Sequence, residues 1–207
     1  MDELNTKNIV DLYKKNFTAR KTRLIGLEPE YPMVLADDKN FGQGPTFDRI
    51  ELLFKELLNR NSAWKPEKDD QTNALVGVSI PLGQNTVSAS TEFGCCTLEV
   101  PFLPGKTLDE VATHANDILS KIVPVAEDMN IYLLGYGIQP ISLPSINFVP
   151  PKGRYRTLNK RFYTTEKLQA PNTDVHFHTI NASQQVHIDV SVDDAMPAIN
   201  AMNLLSP

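Results

Sequence analysis

The sequence predicts an α+β fold, with helices packed on one face of an antiparallel sheet. Extended segments follow one another along the chain without the regular strand–helix alternation of a parallel α/β sheet. Residues 75–80 and 86–90 are typical strands, and Gly83-Gln84-Asn85 between them favours a hairpin. A chain of 207 residues is long enough for one well-buried core, so we expect residues 1–207 to form a single domain.

The segments before this hairpin are predicted to be two helices, a strand and a loop. Residues 5–19 are mostly polar helix formers and predict a leading helix. Residues 24–35 predict a strand, in which Pro29 and Pro32 lack the N–H that a ladder needs and therefore indicate an edge or irregular strand. A helix with one apolar face follows, starting at Thr46 and including Ile50, Leu53, Phe54, Leu57 and Leu58. Residues 61–72 predict a polar loop.

The middle of the chain continues the same alternation of extended and helical patterns. Residues 92–102 predict another extended segment. Thr107 and Glu110 match a capping box, which predicts the start of a helix. The apolar residues of that helix are Val111, Ala115, Ile118, Leu119 and Ile122. Residues 130–137 predict a strand, and a proline-rich loop then leads to the basic segment at residues 154–161.

The last third of the chain is predicted to contain a hairpin and a helix. Residues 175–180 and 184–192 alternate apolar and polar side chains, as paired strands do. Asp193 or Asp194 is expected to cap a final helix. Its apolar residues are Met196, Ile199, Met202 and Leu205.

Charge and composition exclude several classes of partner. The formal net charge is -5, which disfavours nucleic acid. No run of about 18 apolar residues predicts a membrane span, and the polar start of the chain, Met1-Asp2-Glu3, does not resemble a signal peptide. We therefore expect a cytoplasmic protein that binds neither nucleic acid nor membrane. The sequence does not determine whether the protein forms a homo-oligomer.

Two adjacent cysteines, Cys95 and Cys96, point to opposite faces of a strand if the segment is extended. A disulfide between them would be strained, so we expect reduced thiols, as in cytosolic proteins. A redox switch formed by the two neighbouring thiols is the alternative.

The strand around Gly26-x-Glu28-x-Glu30 is the first candidate site. Two residues apart on a strand, Glu28 and Glu30 lie on one face, beside a glycine that removes bulk. Neighbouring carboxylates repel each other unless a cation neutralises them, and Mg²⁺ is the usual cation at ATP sites. The alternative is a solvated strand edge with two exposed glutamates.

A second acidic segment is bounded by Glu92 and Glu99. Thr97, Glu99 and Pro101 are expected to share one face of a strand, with Leu98 and Val100 pointing into the core. If this strand pairs with the Glu28 strand, the sheet gains a cluster of carboxylates that suits Mg²⁺ and nucleotide phosphates.

A third polar strand face carries Gln185, His187 and Asp189, which could provide a metal ligand or a phosphate contact. The alternative is an ordinary half-exposed hairpin. His176 and His178 could also form a zinc site with His187, although no cysteine or HExxH pattern supports it.

Taken in order, three motifs resemble the glutamate–cysteine ligase type 2 family of carboxylate–amine ligases. They are Gly26-x-Glu28-x-Glu30, Thr97-Leu98-Glu99 and Ser183-x-Gln185-Val186-His187-x-Asp189-Val190. Residues 135–140 and Arg154-Tyr155-Arg156 are similar to two further family segments, so the resemblance covers about residues 20–205.

The resemblance implies a glutamine-synthetase-like catalytic fold, a curved antiparallel sheet with the active site on its concave face. It implies an ATP-dependent enzyme of glutathione biosynthesis that joins the γ-carboxylate of glutamate to an amine such as cysteine through an acyl phosphate. Expected ligands of Mg²⁺ are Glu28, Glu30, Glu99 and His187. Gln185 and His187 are expected at the nucleotide, while Glu30 and Arg154 are the expected catalytic residues, because a guanidinium binds carboxylate or phosphate in a fork.

Two departures from the family limit what the resemblance implies. Many members have Gly-Gly-Gln before the second glutamate, whereas this chain has Gly94-Cys95-Cys96-Thr97, which leaves the amine substrate open. Family chains are usually much longer, so the chain is expected to be the N-terminal part of such a catalytic domain. The alternative is a truncated or paralogous domain that binds an amino acid or a metal without catalysis. A scaffold with merely solvated carboxylates is a third hypothesis.

Overall fold

The computed structural model of the chain describes residue 11, residues 23–163 and residues 175–205. Within these residues it is an α+β structure, as predicted, with one seven-stranded antiparallel sheet and four α-helices. The strands are β1 (Ile25–Leu35), β2 (Lys65–Lys68), β3 (Leu75–Leu82), β4 (Asn85–Thr91), β5 (Thr97–Glu99), β6 (Ile131–Leu133) and β7 (Gln184–Ile188). The helices are α1 (Phe47–Arg60), α2 (Leu108–Asp128), α3 (Gly153–Tyr163) and α4 (Ala195–Leu205).

The strands are arranged around β1, which has neighbours along both of its edges. The order across the sheet is β2-β3-β4-β5-β1-β6, and β7 also pairs with β1. Ile25 pairs with Ile188 of β7 on one side and bridges Gly105 on the other. β6 and β7 therefore share the edge of β1 that faces away from β5.

Helices α1 and α2 cover the apolar face of this sheet, and the main core lies between them. The largest fully buried side chains come from both layers: Met33, Ile50, Leu53, Phe54, Ile80, Leu98, Ile118 and Ile122. Helix α1 begins after Thr46, as the sequence predicts. The predicted capping box is also present, since the Thr107 side chain accepts a hydrogen bond from Glu110 N at 3.2 Å.

Of the two alternatives predicted for β1, an edge strand or an irregular strand, the edge strand is wrong, because β1 pairs with β5 along one edge and with β6 and β7 along the other. Its prolines leave the ladders almost complete. Pro29 O accepts from Val100 N at 3.1 Å, and Pro32 O accepts from Leu134 N at 2.8 Å. Each proline lacks only its own donor, so a central strand tolerates two of them at the cost of two bonds.

The predicted hairpin of residues 175–180 with residues 184–192 is also wrong. Val175–Thr179 is a 3₁₀ helix, and β7 pairs with β1 instead. The buried Thr179 fixes this path, since its hydroxyl donates to His176 O at 2.6 Å and its carbonyl packs on Gly94, where a Cβ would collide with it. Only the second predicted strand is present, as β7, and its partner is the distant strand β1.

Two other predictions need adjustment. The predicted loop at residues 61–72 contains the short strand β2, and the basic segment after the proline-rich loop starts helix α3. The leading helix predicted at residues 5–19 lies outside the described residues except for residue 11.

Among the helices that the structure describes, none combines the length and the apolar character needed to cross a membrane.

Candidate functional site on the polar face of the sheet

The strand register brings the predicted site residues onto the face of the sheet opposite helices α1 and α2. Glu28 pairs with Gln185, and Glu30 pairs with Glu99. Residues directly opposite each other in antiparallel strands share a face, so these four side chains form one surface. We call it the polar face, and it comprises Glu28, Glu30, Glu92, Glu99, Gln185 and His187.

Glu28 and His187 are in contact on the β7 side of the polar face. The distance between Glu28 Oε2 and His187 Nε2 is 3.3 Å, and the side chains are 33% and 55% exposed. His187 pairs in register with Gly26 of β1. An open cavity of about 390 Å³, lined in part by Gly26, Glu28 and His187, lies at this end of the sheet.

Glu30 has hydrogen-bond donors at both of its carboxylate oxygens. Its Oε2 accepts from Ser183 N at 2.9 Å, and its Oε1 accepts from the Ser183 hydroxyl at 2.8 Å. Gln185 Nε2 adds a longer bond of 3.4 Å to the same Oε1. Glu30 therefore fixes the residues that lead into β7 to the central strand.

Glu99 is a half-buried carboxylate of the polar face. The pKa of Glu99 is raised to about 7, mainly by burial. A hydrogen bond with Glu92 and the negative charges of Glu92 and Glu28 also contribute to the rise. The positive charge of Lys152 opposes it. Burial and neighbouring carboxylates make such a carboxyl group harder to ionise. A bound cation would stabilise its negative charge, so cation binding is favoured at this position.

Two basic side chains stand beside these carboxylates, at the start of helix α3. Lys152 is buried and donates to the Thr91 carbonyl, and burial together with the charge of Arg154 lowers its pKa to about 8. Arg154 Nη2 lies 3.7 Å from Glu92 Oε2 and 2.5 Å from the Tyr155 hydroxyl. The Arg154 side chain is 63% exposed, which leaves it accessible to a ligand.

The segment that carries these basic residues is held by the loop between β2 and β3. Asp69 Oδ2 accepts from Gly153 N at 3.0 Å, and its Oδ1 accepts from Thr72 N at 2.9 Å. The Thr72 hydroxyl donates to Pro151 O at 2.5 Å. The loop thus determines where Lys152 and the first turn of α3 lie relative to the sheet.

The structure places the residues predicted for the site on or beside the polar face: Glu28, Glu30, Glu99, Arg154, Gln185 and His187. The four predicted metal ligands among these described residues do not form one metal-binding group. Sequence reasoning missed Lys152, Ser183 and Asp69 as partners of these residues. Lys152 adjoins the basic segment, and Ser183 is part of the third motif, so both had a signal in the sequence. Asp69 had none, because its role depends on a contact 84 residues along the chain.

No group of three or more His, Cys, Asp and Glu side chains in the described parts of the chain is arranged to hold a metal ion. His176 and His178 lie on the 3₁₀ helix and not on a strand beside His187. Cys95 and Cys96 are free and buried, as expected for reduced thiols. Burial raises the pKa of both thiols, that of Cys96 to about 12, which disfavours the reactive thiolate.

No protein-family model matches this chain, and no curated protein matches it.

Proposed function

We propose that the protein is, or is part of, an ATP-dependent carboxylate–amine ligase that forms γ-glutamyl amides, as glutamate–cysteine ligases do. The observation that carries this proposal is the convergence of four carboxylates and two basic side chains on one face of an antiparallel sheet. The carboxylates are Glu28, Glu30, Glu92 and Glu99, and the basic residues are Lys152 and Arg154. A glutamine-synthetase-like arrangement of that sheet is part of the proposal.

The donor set suits Mg²⁺, which takes oxygen ligands and usually only one or two protein carboxylates, the rest being water and phosphate. A preformed cage of three protein ligands is therefore not required. Glu28 and Glu99 are the best candidates, because the oxygens of Glu30 already accept hydrogen bonds from Ser183 and Gln185. When bound, Mg²⁺ neutralises phosphate oxygens and so lowers the barrier to bringing two anions together.

The side chains of the site have distinct roles in this proposal. The Arg154 guanidinium binds the γ-carboxylate of glutamate or a phosphate in a fork of hydrogen bonds. His187 positions Glu28 through the contact between their side chains. Lys152 orients the start of α3 through the Thr91 carbonyl and adds positive charge where phosphate oxygens would lie.

The reaction needs no nucleophilic side chain. An oxygen of the glutamate γ-carboxylate forms a bond to the γ-phosphorus of ATP, and the bond from that phosphorus to the bridging oxygen breaks to release ADP. The amine nitrogen then forms a bond to the acyl carbon, and phosphate leaves with the electron pair of the C–O bond. The ammonium form of the amine loses two protons in total; in this proposal Glu30 accepts one of them and the departing phosphate takes the other. Positioning and charge stabilisation account for most of such catalysis.

The proposal is tested by measuring ADP release from Mg²⁺-ATP with glutamate and a panel of amino acids. We expect turnover that requires Mg²⁺ and that falls at least a hundredfold in Glu28→Gln, while the melting temperature changes little because Glu28 is partly exposed. Glu127→Gln, an exposed change on helix α2, is the matched control. A protein that releases no ADP with any amine, or a Glu28→Gln variant with an unchanged rate, contradicts the assignment.

One observation favours the alternative of a non-catalytic domain that binds an amino acid or a metal. Glu30, a residue expected to be catalytic, has hydrogen-bond donors at both oxygens, as a structural carboxylate has. Calorimetry separates the two functions, since binding of glutamate or Mg²⁺ without ATP turnover supports the non-catalytic domain.

A further inference from the structure

Strand β7 has one edge against β1, and its other edge faces solvent. Among the described residues, β1 is the only strand that pairs with β7. Every residue of β7 is exposed, and the apolar side chains of Val186 and Ile188 belong to residues that are 59% and 52% exposed. We call the side of β7 that faces away from β1 the open edge.

The backbone groups at the open edge belong to alternate residues of β7. Directly after the strand, Asp189 N donates to Leu24 O at 3.0 Å, so this residue directs its backbone groups toward the β1 side. Successive residues of a strand direct their N–H and C=O groups to opposite edges. Gln184, Val186 and Ile188 therefore direct theirs to the open edge, where another strand can add.

The two outer strands of the sheet differ in how their edges are protected. Strand β2, at the other end of the sheet, carries Lys65, Pro66 and Lys68, and its ladder with β3 shifts register between Glu67 and Lys68. Lysine, proline and bulges keep an edge strand from pairing with another chain. β7 has no lysine and no proline, and its ladder with β1 runs in regular register. Its open edge is therefore suited to take a further strand.

The open edge is complementary to itself in one antiparallel register. With Val186 opposite Val186 of a second copy, Gln184 lies opposite Ile188, so all the outward residues are paired and form about six backbone hydrogen bonds. Gln185 then lies opposite His187, and no like charges meet. A shift of two residues leaves one outward residue of each strand without a partner. A shift of one residue sets outward groups against inward ones.

We propose that two copies of this chain pair through the open edges of their β7 strands and form a symmetric dimer with one continuous sheet. The two-fold axis passes between the two Val186 residues, so the same edge of each copy forms the interface. The polar faces of both copies then lie on the same side of the joined sheet. Gln185 of one copy lies beside His187 of the other, so each copy adds an amide to the polar face of its partner.

The test measures the mass of the 207-residue protein in solution by sedimentation over a range of concentrations, without ATP or Mg²⁺. We expect twice the monomer mass of 23.1 kDa at high concentration. Val186→Lys should weaken association about tenfold or more, because it places two positive charges opposite each other. Val192→Lys is the matched control, since Val192 is 58% exposed and lies outside β7.

A variant of opposite charge tests the position of the two-fold axis. Val186→Glu alone should also be mostly monomeric, whereas an equimolar mixture of Val186→Lys and Val186→Glu should regain dimers, because opposite charges then face each other. Circular dichroism of each variant checks the fold, and we expect little change because Val186 is mostly exposed.

Four results overturn the proposal. The first is a wild-type protein that keeps the monomer mass over the whole range. The second is a dimer that Val186→Lys and Val192→Lys weaken equally, since it forms through another surface. The third is a mixture of Val186→Lys and Val186→Glu that stays monomeric, since residue 186 then does not lie opposite its counterpart. The fourth is a mass that continues to rise beyond the dimer, because pairing of the two open edges leaves none for a third copy.

Discussion

Strands β5 and β7 lie on opposite sides of β1 and both contribute to the polar face, but they are supported very differently. Beneath Glu99, Leu98 and Val100 are fully buried in the main core. In β7 every residue is exposed, and Val186, on the face away from His187, is 59% exposed. The same alternation of polar and apolar residues thus has a packed layer beneath it on one side of β1 and none among the described residues on the other.

This difference indicates that the two halves of the candidate site are held by different forces. Burial of apolar area fixes the position of the Glu99 carboxylate, whereas hydrogen bonds to β1 and to Glu30 fix β7. Helix α4 resembles β7 in this respect, since Met196, Met202 and Leu205 are all more than 60% exposed. We therefore expect changes beneath β5 to affect the whole fold and changes on β7 to remain local.

The largest effect is expected from truncating the side chain beneath Glu99. Leu98→Ala should lower the free energy of unfolding by about 2–5 kcal/mol, because it leaves a cavity in the core. Val186→Ala, the corresponding change on β7, should lower it by less than about 1 kcal/mol, because the valine is already mostly in solvent. Urea unfolding of the two variants measures both values. Similar losses would show that β7 is as firmly packed as β5 and would refute the comparison.

An intermediate effect is expected from the raised pKa of Glu99. Its carboxyl group binds a proton more tightly in the folded protein, at a pKa of about 7, than at its ordinary value of 4.5. The resulting stability is fully present below pH 4.5 and is lost as the pH rises through about 7. Because the group is partly solvated, we expect the loss to be roughly 1–2 kcal/mol and not the full value that the shift implies.

Glu99→Gln should remove this part of the pH dependence, since an amide does not titrate. Urea unfolding at pH 5 and pH 8 of the wild type and Glu99→Gln measures the difference, with Glu127→Gln as an exposed control. The same pH dependence in wild type and Glu99→Gln would mean that Glu99 is no more protonated in the folded state than in the unfolded one. In the ligase hypothesis, Mg²⁺ should also reduce the loss at pH 8.

The smallest effect is expected at Asp69, which holds the segment with the basic residues. Asp69→Ala removes the acceptor of Gly153 N and Thr72 N, so the start of α3 should be less well fixed. We expect a small fall in melting temperature and weaker binding of Mg²⁺-ATP. Asp69→Asn keeps one acceptor oxygen and should recover part of both. A normal affinity in Asp69→Ala would show that the Arg154 position does not depend on this loop.

Much of the fold follows from local patterns. Helix α1 from Thr46, the capping box of α2 and the β3–β4 hairpin all depend on residues close in sequence, and each was predicted. The errors concern pairing. The prolines of β1 suggested an edge or irregular strand, and the alternation at residues 175–180 suggested one strand of a hairpin where the structure has a 3₁₀ helix. Local patterns do not determine which strands pair, because pairing depends on contacts between segments that are distant in the sequence.

By itself, the sequence determined which side chains share a face: Glu28 with Glu30, Thr97 with Glu99, and Gln185 with His187. Period-two alternation fixes these pairs because successive strand residues point to opposite sides. Only the tertiary structure decided that the three faces meet, through the register of β1 with β5 and β7. The tertiary structure also decided that Glu30 accepts hydrogen bonds from Ser183 and that burial raises the pKa of Glu99. Both effects arise from contacts between segments that are distant in the sequence.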